Sequence, residues 1–486
     1  MQLKELIALV NPLDVTNQKL KVDLTGIHQD SRQVTQGSVF IAIRGTEVDG
    51  HMFLEDAIAR GANVLICEES YYTDVPDVCV MEVENTRNIL GKIAQHFVGN
   101  PAKDLKIVGI TGTNGKTTIA TLVYQVLCKV GKKASLLGTV SKRILEEEID
   151  SSLTTSDPIE LANDMRTIVD AGSEFLIMEV SSHALAQERV NGFEFKVAAF
   201  TNLSHDHLDY HNTVDEYASA KKILFDNLPS SSTAIVNVDD IRGHFMVQDT
   251  KAAINEFSFT TDHNHILQNT SDGLSLLVDG VNIQSPLVGD FNAYNVAQTF
   301  LICKSLNIPA LEIAKALQSS SGASGRMETV IVENSELPKV IVDYAHTPDA
   351  LQNVLATLYN LRFKGSKLHC IFGAGGDRDP TKRSEMAKSA AKYSNHIVVT
   401  SDNPRFESPD LIIEDILKGF SSTENVVVEP DRKRAIELAI EKASSKDIVL
   451  IAGKGHEDYQ DIRGTKHPFN DYEIAEAALQ QKKEVH

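Results

Sequence analysis

"KIVGITGTNGKTTIATLVYQVL", Lys106–Leu127, joins a short apolar β-branched run to a segment of helical spacing through a glycine-rich turn. A phosphate loop needs this order: strand, glycine turn, lysine, hydroxyl, helix. The strand aims the turn, and backbone N–H groups at the helix N-terminus hold the phosphate charge. The strict pattern G-x-x-x-x-G-K-[ST] fails, because the position five before Gly115 is Ile110; the nearest glycines are Gly109 and Gly112. In the phosphate-loop reading, Lys116 reaches the β/γ-phosphates of a nucleotide and Thr117 ligates Mg²⁺. The alternative is a glycine-rich turn with a chance Gly-Lys-Thr.

Outward from this loop, the chain has 486 residues, 42% hydrophobic and 23% charged. That suits an ordinary globular protein of about three domains at roughly 150 residues each. A net charge of −20 argues against nucleic acid and against electrostatic docking on an anionic membrane. Anionic substrates remain compatible, because local basic residues can hold them. The five cysteines are scattered, with no C-x-x-C pair, so neither a disulfide frame nor a zinc cluster is expected. No apolar run approaches a membrane span of roughly 18–20 residues. The opening "MQLKELIALVNPLDV" has too short an apolar core and too early an acid for a secretory signal, so the cytoplasm is the expected compartment.

Buried strands are expected at 175–180, 197–203, 339–345, 368–376, 396–402 and 447–455, alternating with helical segments. Runs this apolar belong to parallel sheets covered on both faces, so the fold class is α/β. Breaks at "VGNPAKDLK" (98–106) and "SSSGASGRMETV" (319–330) divide the chain into 1–101, 102–328 and 329–486. The first is a small α/β domain, the second a nucleotide domain with a mostly parallel sheet, and the third another α/β block. The polar stretch 243–290 alternates weakly and is expected to add antiparallel strands to the central domain.

Glu179, at the end of "FLIMEV", is a candidate metal ligand beside the loop; the alternative is a solvent-facing acid. "TNLSHDHLDYH" (201–211) sets three histidines and two aspartates after a strand. The metallo-β-lactamase-like hydrolases carry H-x-H-x-D-H, and His205, His207 and Asp209 fit it, but Tyr210 displaces His211 by one position. Lys221, in the helical stretch "YASAKKILF", reads from spacing alone as a solvated surface group.

Taken together, "GTNGKTT", "EVSSHAL", "TNLSHDHLDYH", "FNAYN", "GRMET", "DYAHTPDAL" and "GKGHEDYQ" occur in the order found in the Mur ligases. The whole chain resembles this family of ATP-dependent amide-forming enzymes of peptidoglycan synthesis, and within it the branch that forms the tripeptide. The displaced glycine is the family's own loop form. The resemblance implies three domains: an N-terminal UDP-substrate domain, a central ATPase domain and a C-terminal Rossmann-like domain. It implies ATP as co-substrate, Mg²⁺, and a UDP-linked muramoyl dipeptide as acceptor, in a cytoplasmic monomer. Gly112, Thr113, Asn114, Gly115, Lys116, Thr117 and Thr118 would bind ATP, with Asn292, Asn295, Arg326, Asp343 and His346 on the nucleotide side. Thr117, Glu179, His207 and Lys221 would serve metal, Lys221 as the family's carbamylated lysine (N6-carboxylysine). Ser31, Thr154, Thr155, Ser181, Gln187 and Arg189 would meet the UDP-linked substrate. From the residues alone, Ser31 could be a turn residue, Thr154 and Thr155 a helix cap, and Arg189 a surface charge.

The family branches chiefly between meso-diaminopimelate and L-lysine as the added residue. The two differ by a distal carboxylate, which an arginine fork matches with two hydrogen bonds. "TSDNPRFESP" (400–409) supplies Asp402, Asn403, Pro404 and Arg405, the signature of diaminopimelate-adding members. Arg378, Gly453 and Glu457 complete the set that the resemblance implies, Glu457 pairing the distal ammonium. Phe406 is bulkier than the residue usual there. "GAGG" (373–376) could instead be a dinucleotide loop, and the Asn-Pro a simple turn.

Overall fold

The computed structural model describes residues 1–486 except 46–47, 152, 205–207, 262, 333–335 and 486. The chain forms two compact units, Met1–Ser258 with Leu301–Ile308, and Phe259–Phe300 with Pro309–His486.

In the first unit, a five-stranded sheet runs in the order Asp14–Val15, Cys79–Glu82, Ala62–Cys67, Ser38–Ile41, Ile27–His28, all parallel except Asp14–Val15. An eight-stranded sheet runs Ala253–Phe257, Thr233–Asn237, Val197–Phe200, Lys106–Thr111, Phe175–Glu179, Ala134–Leu137, Ser141–Ile144, Glu147–Asp150. Its first six strands are parallel and its last two antiparallel. Register places Ile110 beside Glu179 and Thr111 beside Phe200, so three strand C-termini meet at the glycine turn. Ligand sites of open α/β sheets form at this edge, where neighbouring strands leave the sheet in different directions. Ile107, Leu176, Met178, Phe200 and Phe225 anchor the core beneath it.

In the second unit, a six-stranded sheet runs Glu328–Thr329, Lys339–Asp343, Ile448–Ala452, Leu368–Phe372, His396–Val399, Val426–Val428, parallel apart from the first strand. Alternate residues of one strand serve two cores. Ile341 packs with the helices Pro348–Leu361 and Thr381–Tyr393, whereas Val340 and Val342 pack with Arg432–Lys442 and Asp471–Val485. Both faces are therefore buried, as the unbroken apolar runs require.

The observed strands lie inside the expected runs and end earlier, at Glu179, Phe200, Asp343, Phe372, Val399 and Ala452. The residues after each end form the loops that carry the site. The stretch 243–290 meets the expectation in part. Its strands His265–Thr270, Gly273–Val278 and Val281–Ser285 are antiparallel, but they form a sheet of their own in the second unit. Ala253–Phe257 instead extends the eight-stranded sheet in parallel. Alternation reports one buried face and does not say which sheet a strand joins.

Candidate active site

The glycine turn follows the strand Lys106–Thr111 and opens the helix Lys116–Lys129, with Gly115 at the N-cap and φ +89°. Gly112 has φ +147°, and a Cβ there would lie 1.9 Å from Thr201 Oγ1, so only glycine fits. The neighbouring strand end holds the turn: the Thr113 and Asn114 N–H groups donate to Asn202 O and Oδ1, at 2.8 and 3.0 Å. Lys116 Nζ folds back onto Gly112 O and Thr113 O, at 3.0 and 2.9 Å. Thr118 is buried one position further into the helix.

Glu179 does not face solvent; it is 1% exposed. Its Oε2 accepts from Thr117 Oγ1 at 2.9 Å and Thr139 Oγ1 at 3.0 Å, and its Oε1 accepts from Thr139 N at 2.8 Å. Thr139 had no motif to mark it. Its hydroxyl oxygen also lies 3.1 Å from Thr154 Oγ1. Thr117 and Glu179 thus offer a hydroxyl and a carboxylate together, the oxygen donors that a hard divalent cation takes.

Lys221 lies in the helix Val214–Asp226 and is 1% exposed, against the surface reading from spacing. Its Nζ donates to Gly112 O at 2.9 Å and sits 4.4 Å from the Tyr217 ring centroid. The Tyr217 hydroxyl is 3.1 Å from Thr113 Oγ1, so this helix braces the loop from below. His205 and His207 lie outside the described residues. Among the described neighbours, His211 Nε2 meets Ser182 Oγ at 2.9 Å, which gives that histidine a partner in the fold.

The segment after Glu179 meets the five-stranded sheet's domain within the same unit. Thr155 Oγ1 donates to Glu179 O at 2.8 Å and accepts from Ser181 N at 3.1 Å. The cap of the helix Pro158–Asp170 is Asp157, so Thr154 and Thr155 are not its caps. Ser181 caps the short helix after it, through Ala184 N at 3.1 Å. Arg189 donates to Thr155 O at 2.9 Å and to Gln187 Oε1 at 2.7 Å, and the Gln187 amide donates to the Tyr210 hydroxyl at 3.1 Å. Burial draws the Arg189 guanidinium below its usual range, with the charge of Arg87 adding to the effect. A cavity of about 310 Å³ opens here, lined by Gln29, Arg87, Leu153, Asp157, Gln187 and Arg189 among others. Ser31 is buried in a single 3₁₀ turn two residues after Gln29.

In the second unit, Asp343 ends its strand and accepts from Met327 N and Ala345 N, at 2.7 and 2.8 Å. Burial raises its carboxyl above the usual range, and the neighbouring Arg326 opposes that. Arg326 stacks 4.5 Å from the Tyr344 ring centroid, and its buried Nε has no partner among the described residues. His346 is exposed, its Nδ1 2.9 Å from Tyr344 O. Asn292 and Asn295 are buried in one helix; Asn295 Nδ2 donates to Asn292 Oδ1 at 3.0 Å.

The same unit brings 373–378, 402–406 and 453–457 to one sheet edge. The glycines of "GAGG" serve close packing. A Cβ at Gly373 would lie 2.5 Å from Thr400 O, and one at Gly376 would lie 2.0 Å from Pro404 O. Arg405 has φ +49° and its Nη1 donates to Gly376 O at 2.7 Å. A non-glycine residue in that region costs about 1 kcal/mol or more and survives only where its surroundings impose it. Here the imposing element is the hairpin Tyr459–Pro468, through Arg405 N to Asp461 O at 3.0 Å and Arg463 N to Arg405 O at 2.8 Å. Arg378, which is exposed, and Arg405 both border Gly375. Asn403 Nδ2 donates to Glu457 Oε2 at 2.8 Å. Phe406 projects into solvent, 75% exposed, with its N–H on Asp377 Oδ2 at 3.2 Å.

Sequence reasoning missed two buried cations here. Lys454 donates to Asn403 Oδ1 at 2.9 Å and Glu457 Oε2 at 3.3 Å. Arg432 forms a bidentate pair with Asp471, at 2.8 and 2.7 Å, both side chains fully enclosed. Burial opposes the Arg432 charge, but Asp471, then Asp402 and Glu457, hold the guanidinium above its usual range.

Residues 23–98 match the Mur ligase family catalytic domain, 110–303 the Mur ligase middle domain, and 325–455 the Mur ligase glutamate ligase domain. The chain is 42% identical to the UDP-N-acetylmuramoyl-L-alanyl-D-glutamate–2,6-diaminopimelate ligase of Cytophaga hutchinsonii, covering 99% of each. It is 42% identical to the ligase of that name from Aquifex aeolicus, covering 93% of each. A solved structure of a ligase with this name superposes with a TM-score of 0.72 at 32% identity, over 94% of this chain and 95% of that one. A MurF ligase from Thermotoga maritima, solved with ADP, has a TM-score of 0.58 at 18% identity, over 94% and 99%, and shares the fold. The metallo-β-lactamase-like alternative falls away, because three consecutive domain matches and near-complete relatives agree with the loop and its partners: the chain belongs to the Mur ligase family.

Proposed function

We propose that this chain is an ATP-dependent ligase that joins meso-diaminopimelate to the D-Glu γ-carboxylate of UDP-N-acetylmuramoyl-L-alanyl-D-glutamate. One observation carries the reading. Glu179 is shared between two segments: its side chain takes the Thr117 hydroxyl, while its backbone carbonyl takes the Thr155 hydroxyl. The phosphate loop and the segment assigned to the UDP-linked substrate therefore converge on one residue of one unit. On this reading a nucleotide γ-phosphate on the loop would meet a substrate carboxylate in place of bulk water.

The chemistry follows from the weakness of a carboxylate as an electrophile. A carboxylate oxygen of D-Glu attacks the γ-phosphorus, and the bond to ADP breaks. The amine of the amino acid then attacks the acyl carbon, and phosphate leaves with the electron pair of the C–O bond. Such transfers need positioning and charge stabilisation more than covalent help from the protein. The first-turn amides of the helix Lys116–Lys129 and the Lys116 ammonium stabilise the charge on the transferring phosphate. Arg189 orients the acceptor from the cavity beside Thr155.

Thr117 and Glu179 are the residues to hold Mg²⁺, with His207 and a carbamylated Lys221 assigned by resemblance. When bound, the ion offsets phosphate charge. Lys221 fits that role by position, because it is buried and its Nζ reaches the carbonyl of the loop's first glycine. Asn292, Asn295, Arg326, Asp343 and His346 belong to the nucleotide side, and Arg326 carries a buried donor suited to phosphate. Arg378, Asp402, Asn403, Pro404, Arg405, Gly453 and Glu457 form the amino-acid pocket, with Arg405 for the distal carboxylate and Glu457 for the distal ammonium. The functional division proposed is 1–101, 102–328 and 329–486.

The test is phosphate release with ATP, the UDP-dipeptide and meso-diaminopimelate. Release should require all three and disappear in Lys116→Ala. For Lys221→Ala, activity should fall and return in part with formate or acetate. Turnover that persists without the loop lysine would place the nucleotide elsewhere.

A further inference from the structure

The motif "GKGHE" carries a lysine, Lys454, whose place in the fold differs from that of an ordinary surface lysine. Gly453 and Gly455 flank it, with φ +121° and +55°. A Cβ at Gly453 would lie 2.4 Å from Asp402 Oδ2; one at Gly455 would lie 2.7 Å from Tyr344 Cβ and 2.8 Å from Gly325 O. Two close approaches on either side thus turn the intervening side chain inward. Lys454 is 0% exposed. A buried ammonium persists only where partners compensate its lost hydration.

Those partners are the residues assigned to the diamino acid. Lys454 Nζ lies 2.9 Å from Asn403 Oδ1, 3.3 Å from Glu457 Oε2 and 3.9 Å from Asp402 Oδ1. Asn403 Oδ1 also accepts from Asp461 N at 2.9 Å, which fixes its amide with Nδ2 toward Glu457. Glu457 Oε2 takes both Asn403 Nδ2 and Lys454 Nζ, leaving Oε1 for a ligand. Asp402 and Glu457 bring two negative charges to the pocket. Lys454 offsets one of them from beneath, where no ligand reaches it.

We propose that Lys454 is a positioning and specificity residue of the amino-acid pocket, an inference that rests on the diaminopimelate-ligase reading. It orients Glu457 through Asn403. It also sets the pocket's charge so that a distal zwitterion, carrying both ammonium and carboxylate, is favoured over the bare distal ammonium of L-lysine. The Coulomb interaction of a fully enclosed ammonium with neighbouring charges is strong enough to shift that preference.

The experiment compares wild type, Lys454→Met and Lys454→Arg in full-length protein, with meso-diaminopimelate and L-lysine as alternative substrates. Wild-type preference for meso-diaminopimelate tests the functional reading itself, separately from the variants. Lys454→Met should raise KM for meso-diaminopimelate tenfold or more. KM for ATP and for the UDP-dipeptide should stay within twofold, and kcat within about threefold. The kcat/KM ratio of meso-diaminopimelate to L-lysine should fall at least fivefold, and Lys454→Arg should restore part of it. In Glu457→Gln the further effect of Lys454→Met on KM should shrink, because the two act on one ligand group. An unchanged ratio, or a loss spread equally over all three substrates, overturns the proposal. Should Lys454→Met not fold, Asn403→Asp places the opposite charge beside an intact Lys454 and must shift the ratio the same way; an unshifted ratio there overturns it equally.

Discussion

The glycine turn of the first unit and the proposed amino-acid pocket of the second are both built at strand C-termini, but from different materials. The loop uses backbone: two glycines, a helix N-terminus, and the amide contacts with Asn202. Its recognition element lies within one contiguous stretch. The pocket uses side-chain charge, gathered from 373–378, 402–406 and 453–457, over the buried cations Lys454 and Arg432. Backbone groups suit a partner that every member of such a family shares, a nucleotide phosphate. Charges on separate loops suit the partner that distinguishes one branch from another, because each can change without disturbing the sheet.

The largest effect is expected at Lys116. Lys116→Ala should lower ATP-dependent phosphate release by on the order of 10³-fold, read by coupled phosphate assay, with the melting temperature little changed. A tenfold loss or less would place the nucleotide elsewhere. At the pocket, Arg432→Met should destabilise the protein by about 3–5 kcal/mol, because it strands the Asp471 carboxylate in the interior. Adding Asp471→Leu should recover most of that in thermal unfolding; no recovery would show that Arg432 acts through the pocket carboxylates instead.

Arg405→Ala should weaken use of meso-diaminopimelate by about 2–5 kcal/mol in kcat/KM, leaving L-lysine use nearly unaffected. Equal losses for both amino acids would remove the carboxylate assignment. The smallest effect concerns pH. His369 lies in the strand Leu368–Phe372 of the second unit's sheet, and its pKa is lowered from 6.5 to about 4 by burial, then by His396 and Lys442, with Asp447 opposing. Its neutral form is the folded form. The stabilisation is full above the unfolded pKa of 6.5 and is lost as pH falls toward 4. At its limit this is about 3 kcal/mol. Denaturant unfolding of His369→Gln from pH 7 to 4 should show a shallower loss than wild type; parallel curves would assign the acid sensitivity elsewhere.

The loop, the α/β class and the family resemblance could be read directly from the chain, because strand, turn and helix lie consecutively and carry fixed residue types. Lys221 could not be placed from its spacing. A helix pattern marks a face, while its burial depends on Gly112, more than a hundred residues away in sequence. Thr139 was silent for a similar reason: its partner Glu179 arrives on a different strand. The antiparallel strands of 265–285 were legible as strands, but their sheet was not, since alternation fixes a face and leaves the neighbour open. Lys454 sat inside a recognised motif, and only the backbone angles of its flanking glycines reveal which way it turns.

The most direct measurement mixes ATP, the UDP-linked muramoyl dipeptide and equal amounts of meso-diaminopimelate and L-lysine, and resolves the products by mass spectrometry. One dominant product is expected, the UDP-linked tripeptide carrying diaminopimelate, with one phosphate released per amide formed. A dominant lysine adduct, or phosphate release with no amide product, would contradict it.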